Sequence, residues 1–267
     1  MGREMRTLFI LWVVTTMVGL SACARAPNQA QLSTGEDSEA GLLRLATDFD
    51  AHGQNEASLP LYRRAVTVSG EAPSAYRRLG DACVRAGRID EAIDAYRAAL
   101  MKAPNDAEAE LGLGTALVRK GDIEAGVDSL TKAAPVIKTA VAYDRLGVAQ
   151  TLAGRLPEAE ASFDSAVALA PDDLDIRTNL AFAAVLGGHD EKAVATMRDV
   201  VKSPGAEIRH RRDFVVVLGM AGLAKGEKVV LSGMSNAEVR DLLTRAGAIR
   251  AMKSAKDRAN AIGAIAG

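Results

Sequence analysis

Aromatic residues are scarce in this sequence. The chain of 267 residues contains five phenylalanines, four tyrosines and one tryptophan, which together make up 4% of the composition. Aromatic and β-branched side chains are the residues most enriched in β-sheets, and alanine is abundant here instead. The composition therefore favours closely packed helices over a sheet-based core.

Cysteine is rare as well, since Cys23 and Cys83 are the only two in the chain. If Cys23 is modified, as argued below, the chain cannot form an internal disulfide framework. Cys83 falls on the apolar face of a predicted helix, where cysteine usually acts as a small buried hydrophobic residue. We predict that Cys83 is a packing residue and not a reactive thiol.

Neither sign of charge is in excess. The 33 lysines and arginines nearly balance the 34 aspartates and glutamates, which gives a formal net charge of −1. Proteins that bind nucleic acid carry a basic surface, and this composition provides none. The charge balance therefore argues against a nucleic-acid partner.

Sequence motifs of catalysis are also missing. The three histidines, His52, His189 and His210, lie far apart without the spacing of metal ligands. No nucleophile elbow, phosphate-binding loop or dinucleotide-binding motif occurs. We predict that the protein is not an enzyme, and we expect no cofactor, no metal and no small-molecule substrate. The competing interpretation, a membrane-anchored hydrolase, would need its catalytic residues in the little sequence outside the repeats described below.

One long uncharged run is present, at the N-terminus. The basic stretch MGREMR is followed by 14 uncharged residues, TLFILWVVTTMVGL. A helix needs roughly 20 residues to cross the hydrocarbon core of a bilayer, so this run is too short to span it comfortably. Its length and its basic flank are typical of an export signal.

The run ends in LSAC at residues 20–23, which resembles the lipobox of bacterial lipoproteins. This resemblance implies a diacylglyceryl group on Cys23 and cleavage just before it. It also implies outer-membrane transport, because Ala24 and not aspartate follows the cysteine. We predict a signal peptide at 1–22 and a flexible lipidated tether at 23–38. The alternatives are an ordinary secretory signal and an uncleaved anchor.

Glycine recurs with a period of about 34 residues. Between two predicted helices of each unit stands a glycine, at Gly53, Gly87, Gly121, Gly154, Gly188 and Gly222. Set against these glycines, small residues recur at the eighth, twentieth and twenty-seventh positions of the unit, and large apolar residues at the seventh and twenty-fourth. Small residues let two helices approach closely while large ones fill the space beside them. The pattern predicts helical hairpins in which the glycine ends the first helix.

This pattern resembles the tetratricopeptide repeat, whose period is 34 residues. The resemblance implies an all-α fold, a right-handed superhelical solenoid of about six units over residues 39–234. The sixth unit is degenerate, so its second helix is in doubt. Ser235 and Glu238 form a capping-box pattern. We therefore predict a C-terminal capping helix at 235–253 within a last segment, 235–267, whose final dozen residues fray.

In tetratricopeptide folds the first helix of each unit lines a concave surface, so the same positions predict a partner-binding groove here. The groove becomes apolar toward its C-terminal half, where its predicted members are Val148, Thr151, Leu152, Phe182, Val185, Leu186, Val216 and Met220, with Arg209 and Arg212 at the rim. Such a groove suits an amphipathic helix or an extended peptide. The alternative is that these residues pack between repeats or under the terminal helix. The basic run at 209–212 likewise either grips an acidic partner or lipid headgroups, or is a solvated helix face.

A closer resemblance lies in two segments, IRTNLAFAAVLGGHDEKAV at 176–194 and SPGAEIRHRRDFVVVLGMAG at 203–222. They are similar to the TadD family of tight-adherence (Flp) pilus assembly lipoproteins, although Asp213 and its neighbours depart from the family's second Asn-Leu-Ala run. The resemblance implies a pilotin-like assembly factor on the periplasmic face of the outer membrane. Its partner would be a secretin or another pilus-assembly component. The alternative is a general periplasmic scaffold lipoprotein for cell-wall or polysaccharide export machinery.

Overall fold

The computed structural model describes residues 35, 37–224 and 233–263. The predicted signal peptide, Cys23 and nearly all of the predicted tether lie outside these residues. So does the segment 225–232, which contains most of the doubtful second helix of the sixth unit. None of the helices in the described ranges is long and apolar enough to cross a membrane.

The described residues form helices joined by short turns and contain no β-strand. In chain order the helices are α1 (Glu39–Ala51), α2 (Asn55–Val68), α3 (Pro73–Arg85), α4 (Ile89–Lys102), α5 (Ala107–Lys120), α6 (Ile123–Ile137), α7 (Ala140–Ala153), α8 (Leu156–Leu169), α9 (Leu174–Leu186), α10 (Asp190–Lys202), α11 (Ile208–Ala221), α12 (Asn236–Arg250) and α13 (Ala255–Gly263). Successive helices pack against each other from α1 to α12, and the two helices of each hairpin share the larger contacts. The predicted tetratricopeptide-repeat solenoid is confirmed.

The recurrent glycines occupy the turns within the hairpins, as predicted. All six have a left-handed backbone with φ between +72° and +97°. Gly121 and Gly154 are themselves the C-cap residues that end the first helix of their units. Only glycine adopts such a conformation without steric cost, so the turn geometry explains the period of the sequence.

The core lies between the two helices of each hairpin and between neighbouring hairpins. The predicted small residues of the second helices are fully buried, among them Ala92, Ala99, Ala159 and Ala166. The large residue predicted to fill the core at the seventh position does so less well in the first unit, where Leu45 is 47% exposed. The cause is that α1 is the first described helix of the stack, so no preceding repeat covers this side of it.

The C-terminal end of the solenoid differs from the prediction in two respects. Helix α12 is present, and the Ser235 hydroxyl accepts the Glu238 amide N–H at 3.2 Å as the capping pattern predicted. It packs against α11 as the second helix of a hairpin does, so it closes the sixth pair. The expectation that the final dozen residues fray is wrong for 256–263, because α13 folds back onto α7 and α9 and buries its apolar side chains there.

Candidate protein-binding surface

The first helices of the hairpins present three clefts in succession along the predicted concave surface. The polar cleft, of about 450 Å³, lies between α1, α2 and α3. The central cleft, of about 170 Å³, lies between α5, α6 and α7, and the apolar cleft, of about 210 Å³, between α7, α8, α9 and α13. The surface therefore changes from charged to apolar along the chain, as the sequence predicted.

The polar cleft is organised around the carboxylate of Asp50. That carboxylate accepts hydrogen bonds from the Ser58 hydroxyl at 2.6 Å, the Tyr62 hydroxyl at 2.8 Å and the Arg85 guanidinium at 2.7 Å. Burial acts to raise the pKa of Asp50, but these three donors outweigh it and lower that pKa below its ordinary value. The same guanidinium lies 5.8 Å from the centre of the Tyr62 ring. These contacts fix the cleft wall in one arrangement before any ligand arrives.

The central cleft combines an apolar floor with two arginines. Its lining includes Val118 and Val148, with Arg119 and Arg145 at its mouth. Neither arginine forms an ion pair with a carboxylate among the residues that the structure describes. Asp144, in the same cleft, accepts a hydrogen bond from the Asn179 amide at 2.9 Å, and burial raises the pKa of this carboxyl. Both guanidinium groups are exposed and therefore available to an acidic group of a ligand.

The apolar cleft contains five of the residues predicted for the groove. Its walls are formed by Val148, Thr151, Leu152, Phe163, Asn179, Phe182 and Leu186, and by Ala259 and Ile262 of α13. Helix α13 is held over it by its apolar side chains and by Arg258, whose guanidinium donates to the Leu186 carbonyl oxygen at 3.2 Å. The cleft already holds one helix, and it comes from the protein's own C-terminal segment.

The other apolar residues predicted for the groove are core residues in this structure. Val185, Val216 and Met220 are between 1% and 6% exposed and belong to the core shared by α9, α11 and α12. Phe182 and Leu186 are nearly as buried, although they border the cleft. Their packing corresponds to the alternative interpretation, in which these residues lie between repeats and under the terminal helices. Binding of a partner by them stays a prediction, and it requires α12 or α13 to move.

Arg209 and Arg212 lie at the N-terminal end of α11 and join it to neighbouring helices. Arg209 pairs with Asp175 of α9 and with Glu207, and the Arg212 Nε lies 3.2 Å from a Glu238 carboxylate oxygen of α12. These ion pairs hold the fifth repeat, the sixth repeat and α12 together. Capture of a partner by these two arginines stays a prediction, and such a partner would compete with the carboxylates already bound.

His210, between them, is buried and has a defined tautomer. Its Nδ1 accepts the amide N–H of Glu207 at 2.9 Å, and its Nε2 lies 3.0 Å from an Asp175 carboxylate oxygen. Because Nδ1 is an acceptor, Nε2 must carry the proton and donate to Asp175. His210 therefore caps α11 and fixes its position against α9. Among the described residues, no group of three or more His, Cys, Asp or Glu side chains could hold a metal ion.

Asp213, one turn further along α11, is a buried carboxyl group. It is 8% exposed, and burial raises its pKa from 3.8 to about 6. The electrostatic effects of His210, Arg209 and Arg212 act in the opposite direction and do not offset the burial. At neutral pH the protein thus keeps a desolvated carboxylate that is more easily protonated in the folded state than in the unfolded state.

We expect the substitution Asp213→Asn to stabilise the protein at pH 7.5 by about 1–2 kcal/mol, because it removes the cost of the buried charge. The folded carboxyl binds its proton more tightly than the unfolded one, so protonation of Asp213 stabilises the wild-type fold at low pH. This stabilisation is lost as the pH rises from about 4 to 6. The advantage of the variant should accordingly be smaller at pH 4.5 than at pH 7.5. Urea unfolding of both proteins at the two pH values measures the difference, and an equal advantage at both would contradict it.

The residues that line only the polar and central clefts were not predicted to bind a partner. The sequence places Asp50, Arg85 and Arg145 at or beside the positions that line the concave surface in this repeat, so the signal was available. It gave no means of separating charges that are already paired, such as Asp50 with Arg85, from the open ones. Three-dimensional contacts between residues 23 to 35 positions apart make that distinction.

Comparison with known proteins supports the repeat assignment. The sequence profile of the tetratricopeptide repeat matches residues 43–107, 84–145 and 111–173. The protein thus carries tetratricopeptide repeats over 43–173, which corresponds to α1 to α8. Proteins built on this repeat are generally noncatalytic scaffolds whose curved surfaces bind other proteins. Among curated protein sequences, none matches this chain.

Several solved structures share the fold. TTC0263, a tetratricopeptide-repeat protein from Thermus thermophilus, is 25% identical, with 68% of this chain and 99% of that one covered at a TM-score of 0.52. A tetratricopeptide-repeat protein from Parabacteroides merdae covers 84% of this chain and 92% of its own at 15% identity and a TM-score of 0.63. YrrB, described as having an unusual peptide-binding site, covers 76% and 100% at 19% identity and a TM-score of 0.56. At these identities the last two show the fold alone.

Proposed function

We propose that this protein is a lipid-anchored assembly factor of the outer membrane that holds another protein in its concave surface. Its repeats are the protein-binding scaffold, and Cys23 carries the lipid. The resemblance to the TadD family supports a pilotin-like role in assembly of the tight-adherence pilus. The partner would then be a secretin subunit or another pilus component, held at the periplasmic face.

The observation that carries the proposal is the apolar cleft with a helix seated in it. Ala259 and Ile262 of α13 pack against Phe182 and Leu186. The two α13 residues are at most 7% exposed. A surface that accepts a short amphipathic helix of its own chain has the shape and chemistry to accept one from a partner. The nine residues of α13 are too few for a stable isolated helix, so a longer partner helix could displace it.

The lipid anchor makes a moderate affinity for the partner sufficient for assembly at the membrane. Acyl chains stabilise membrane attachment by about 0.8 kcal/mol per buried methylene, so more than one chain holds a protein firmly at the bilayer. A partner held in the cleft is then confined to the membrane surface, where its effective concentration for assembly is raised. Transport and retention of an outer-membrane subunit need no catalysis under this mechanism.

We expect Val148→Asp and Leu152→Asp each to reduce partner capture about tenfold or more, because a charge at the centre of an apolar interface removes a binding hot spot. Both side chains line the apolar cleft but are only half buried, so the fold should tolerate the change. Affinity capture from detergent-solubilised envelopes, followed by quantitative mass spectrometry, measures the effect.

The matched control is Leu45→Asp, which places the same charge on a side chain that is 47% exposed outside the clefts. It should leave capture unchanged, and thermal unfolding should verify that all three variants fold. Cys23→Ser should abolish membrane attachment while cleft binding in detergent persists. Capture unaffected by both cleft variants would rule out the cleft, and capture of cell-wall or polysaccharide-export components would favour the scaffold alternative.

A further inference from the structure

Four consecutive repeats expose a large apolar side chain at the C-terminal end of their second helix. The side chains are Val68, Met101, Val136 and Leu169, which are 47%, 77%, 68% and 52% exposed. Each is the last or the penultimate residue of the second helix of its hairpin, in α2, α4, α6 and α8. Single exposed apolar residues are common on protein surfaces. Here they recur at the C-terminal end of the second helix in four successive repeats, at the thirtieth position of the unit for Val68, Val136 and Leu169 and at the twenty-ninth for Met101. This recurrence places them along one edge of the solenoid.

The opposite edge of the solenoid has the opposite character. The same second helices begin, just after the glycine turns, at the polar N-cap residues Gln54, Arg88, Asp122 and Arg155. The two ends of each second helix are about 20 Å apart, from its 14 or 15 residues at 1.5 Å each. The solenoid therefore has an apolar edge, defined by Val68, Met101, Val136 and Leu169, and a polar edge, defined by those four N-caps.

The chain enters the solenoid at the apolar edge. Helix α1 is a first helix, so its N-terminus lies beside the C-terminus of α2. The ion pair between Asp37 and Arg64, at 3.1 Å, places the incoming chain one turn of helix from Val68. The neighbouring pair of Glu71 with Lys102, at 3.0 Å, continues along the edge to the residue after Met101. Any anchor N-terminal to residue 37 therefore pulls on this edge and not on the polar one.

We propose that the apolar edge is a membrane-contact surface, with Val68 and Met101 in the interfacial layer of the bilayer that holds the anchor. This proposal deepens the proposed function, because it rests on lipid attachment at Cys23. If the tether predicted over 23–38 is a flexible chain, the 14 steps from Cys23 to Asp37 give it a mean span of roughly 20 Å. That span brings the edge within reach of the headgroups.

The apolar edge depends on the lipid anchor for its contact with the membrane. A few apolar side chains in the interface bind a soluble protein too weakly to hold it at a membrane. The same contacts become effective once an anchor raises the local concentration of the surface. Arg64 and Lys102 lie next to the apolar pair. They pair with Asp37 and Glu71 but are 58% and 48% exposed, so a lipid phosphate would compete with those carboxylates for them. The contact then orients the body of the protein.

The test uses the full chain from residue 23 with a synthetic anchor, so that it does not depend on native lipidation. Cys83→Ala removes the buried thiol and Cys23→Ser the other one, and an N-terminal histidine tag binds nickel-chelating lipids in phosphatidylethanolamine–phosphatidylglycerol vesicles. An environment-sensitive fluorophore is attached in turn to Val68→Cys, Met101→Cys and the matched controls Gln54→Cys and Arg88→Cys. Each control lies at the other end of the same helix as its partner site.

We expect blue-shifted emission and several-fold stronger quenching by spin-labelled lipids at Val68 and Met101 than at Gln54 and Arg88. The difference should vanish when imidazole releases the anchor. Equal quenching at both ends of the helices would overturn the proposal, and so would a blue shift that depends on protein concentration without vesicles, since that would identify a second copy as the occupant. Native attachment through Cys23 is tested separately by the Cys23→Ser variant, so the two failures are distinguishable.

Discussion

Replacing Gly112 with alanine is expected to destabilise the protein by about 2–4 kcal/mol, although alanine usually stabilises a helix relative to glycine by about 1 kcal/mol. A β-carbon on Gly112 would lie 2.3 Å from the Tyr96 ring, far inside van der Waals contact. The ring has little room to move, because it also packs closely on Gly80 of the preceding repeat, where an added β-carbon would lie 2.7 Å from it. Steric conflict therefore reverses the usual sign.

Tyr96 is also held by a hydrogen bond. Its hydroxyl donates to an Asp81 carboxylate oxygen at 2.6 Å, and burial, followed by this carboxylate, raises the pKa of the phenol. The ring is 2% exposed and lies in the core that joins the first three repeats. A shift that relieved the clash would stretch or break this hydrogen bond and open space elsewhere in the core.

The control for Gly112→Ala is Gly247→Ala in α12, where an added β-carbon meets nothing within 4 Å. We expect this second variant to gain about 0.5–1 kcal/mol, the ordinary helix-propensity effect. Chemical unfolding followed by circular dichroism compares both with the wild type. A stable Gly112→Ala protein would mean that Tyr96 can leave its place, and the close packing of the second and third hairpins would have to be reconsidered.

The second large effect is expected from Ile262→Asp, which should release α13 and expose the apolar cleft. Ile262 is 7% exposed, and full burial of such a side chain stabilises a structure by about 1.5–3 kcal/mol. The loss would raise the population of the open cleft by about 10- to 100-fold. If a partner helix competes with α13, its apparent affinity should rise by up to the same factor, while global unfolding stays nearly unchanged.

Hydrogen exchange of the α13 amides and binding of the captured partner measure the two consequences of Ile262→Asp. The control, Asn260→Asp, puts the same charge on the exposed side of the same helix and should alter neither. A released α13 together with weaker partner binding would show that α13 forms part of the binding surface. In that case the partner packs beside α13 and does not replace it.

The basic run at 209–212 shows how one sequence feature can serve the fold. The sequence left open whether it contacts a partner or solvent, and both interpretations treated its charges as exposed. The structure pairs Arg209 and Arg212 with carboxylates of α9 and α12 and buries His210 between them. Their partners lie 34, 26 and 35 residues away in the chain. The period places Asp175 and Arg209 at the same position of neighbouring repeats, but it does not show whether their side chains pair with each other or with a partner.

The sequence by itself determined the hairpins and their stacking. Each hairpin depends on a glycine turn and on contacts between positions that recur every 34 residues, so the pattern at Gly121, Ala133 and Leu146 is sufficient to specify it. Solenoids allow this because each repeat contacts only its neighbours. The N-terminal motif around Cys23 is likewise local, and its consequence stays a prediction.

Only the tertiary structure decided which parts of the concave surface are open. Ile262 meets Phe182 although the two lie 80 residues apart in the chain, more than two repeat lengths, and no repeat column contains this contact. The same holds for the burial of Asp213 and for the edge along which Val68 and Met101 align, because exposure depends on what packs from outside the local hairpin. Contacts within a repeat follow from the period of the sequence. The position of α13 on the apolar cleft depends instead on a C-terminal segment outside the repeats.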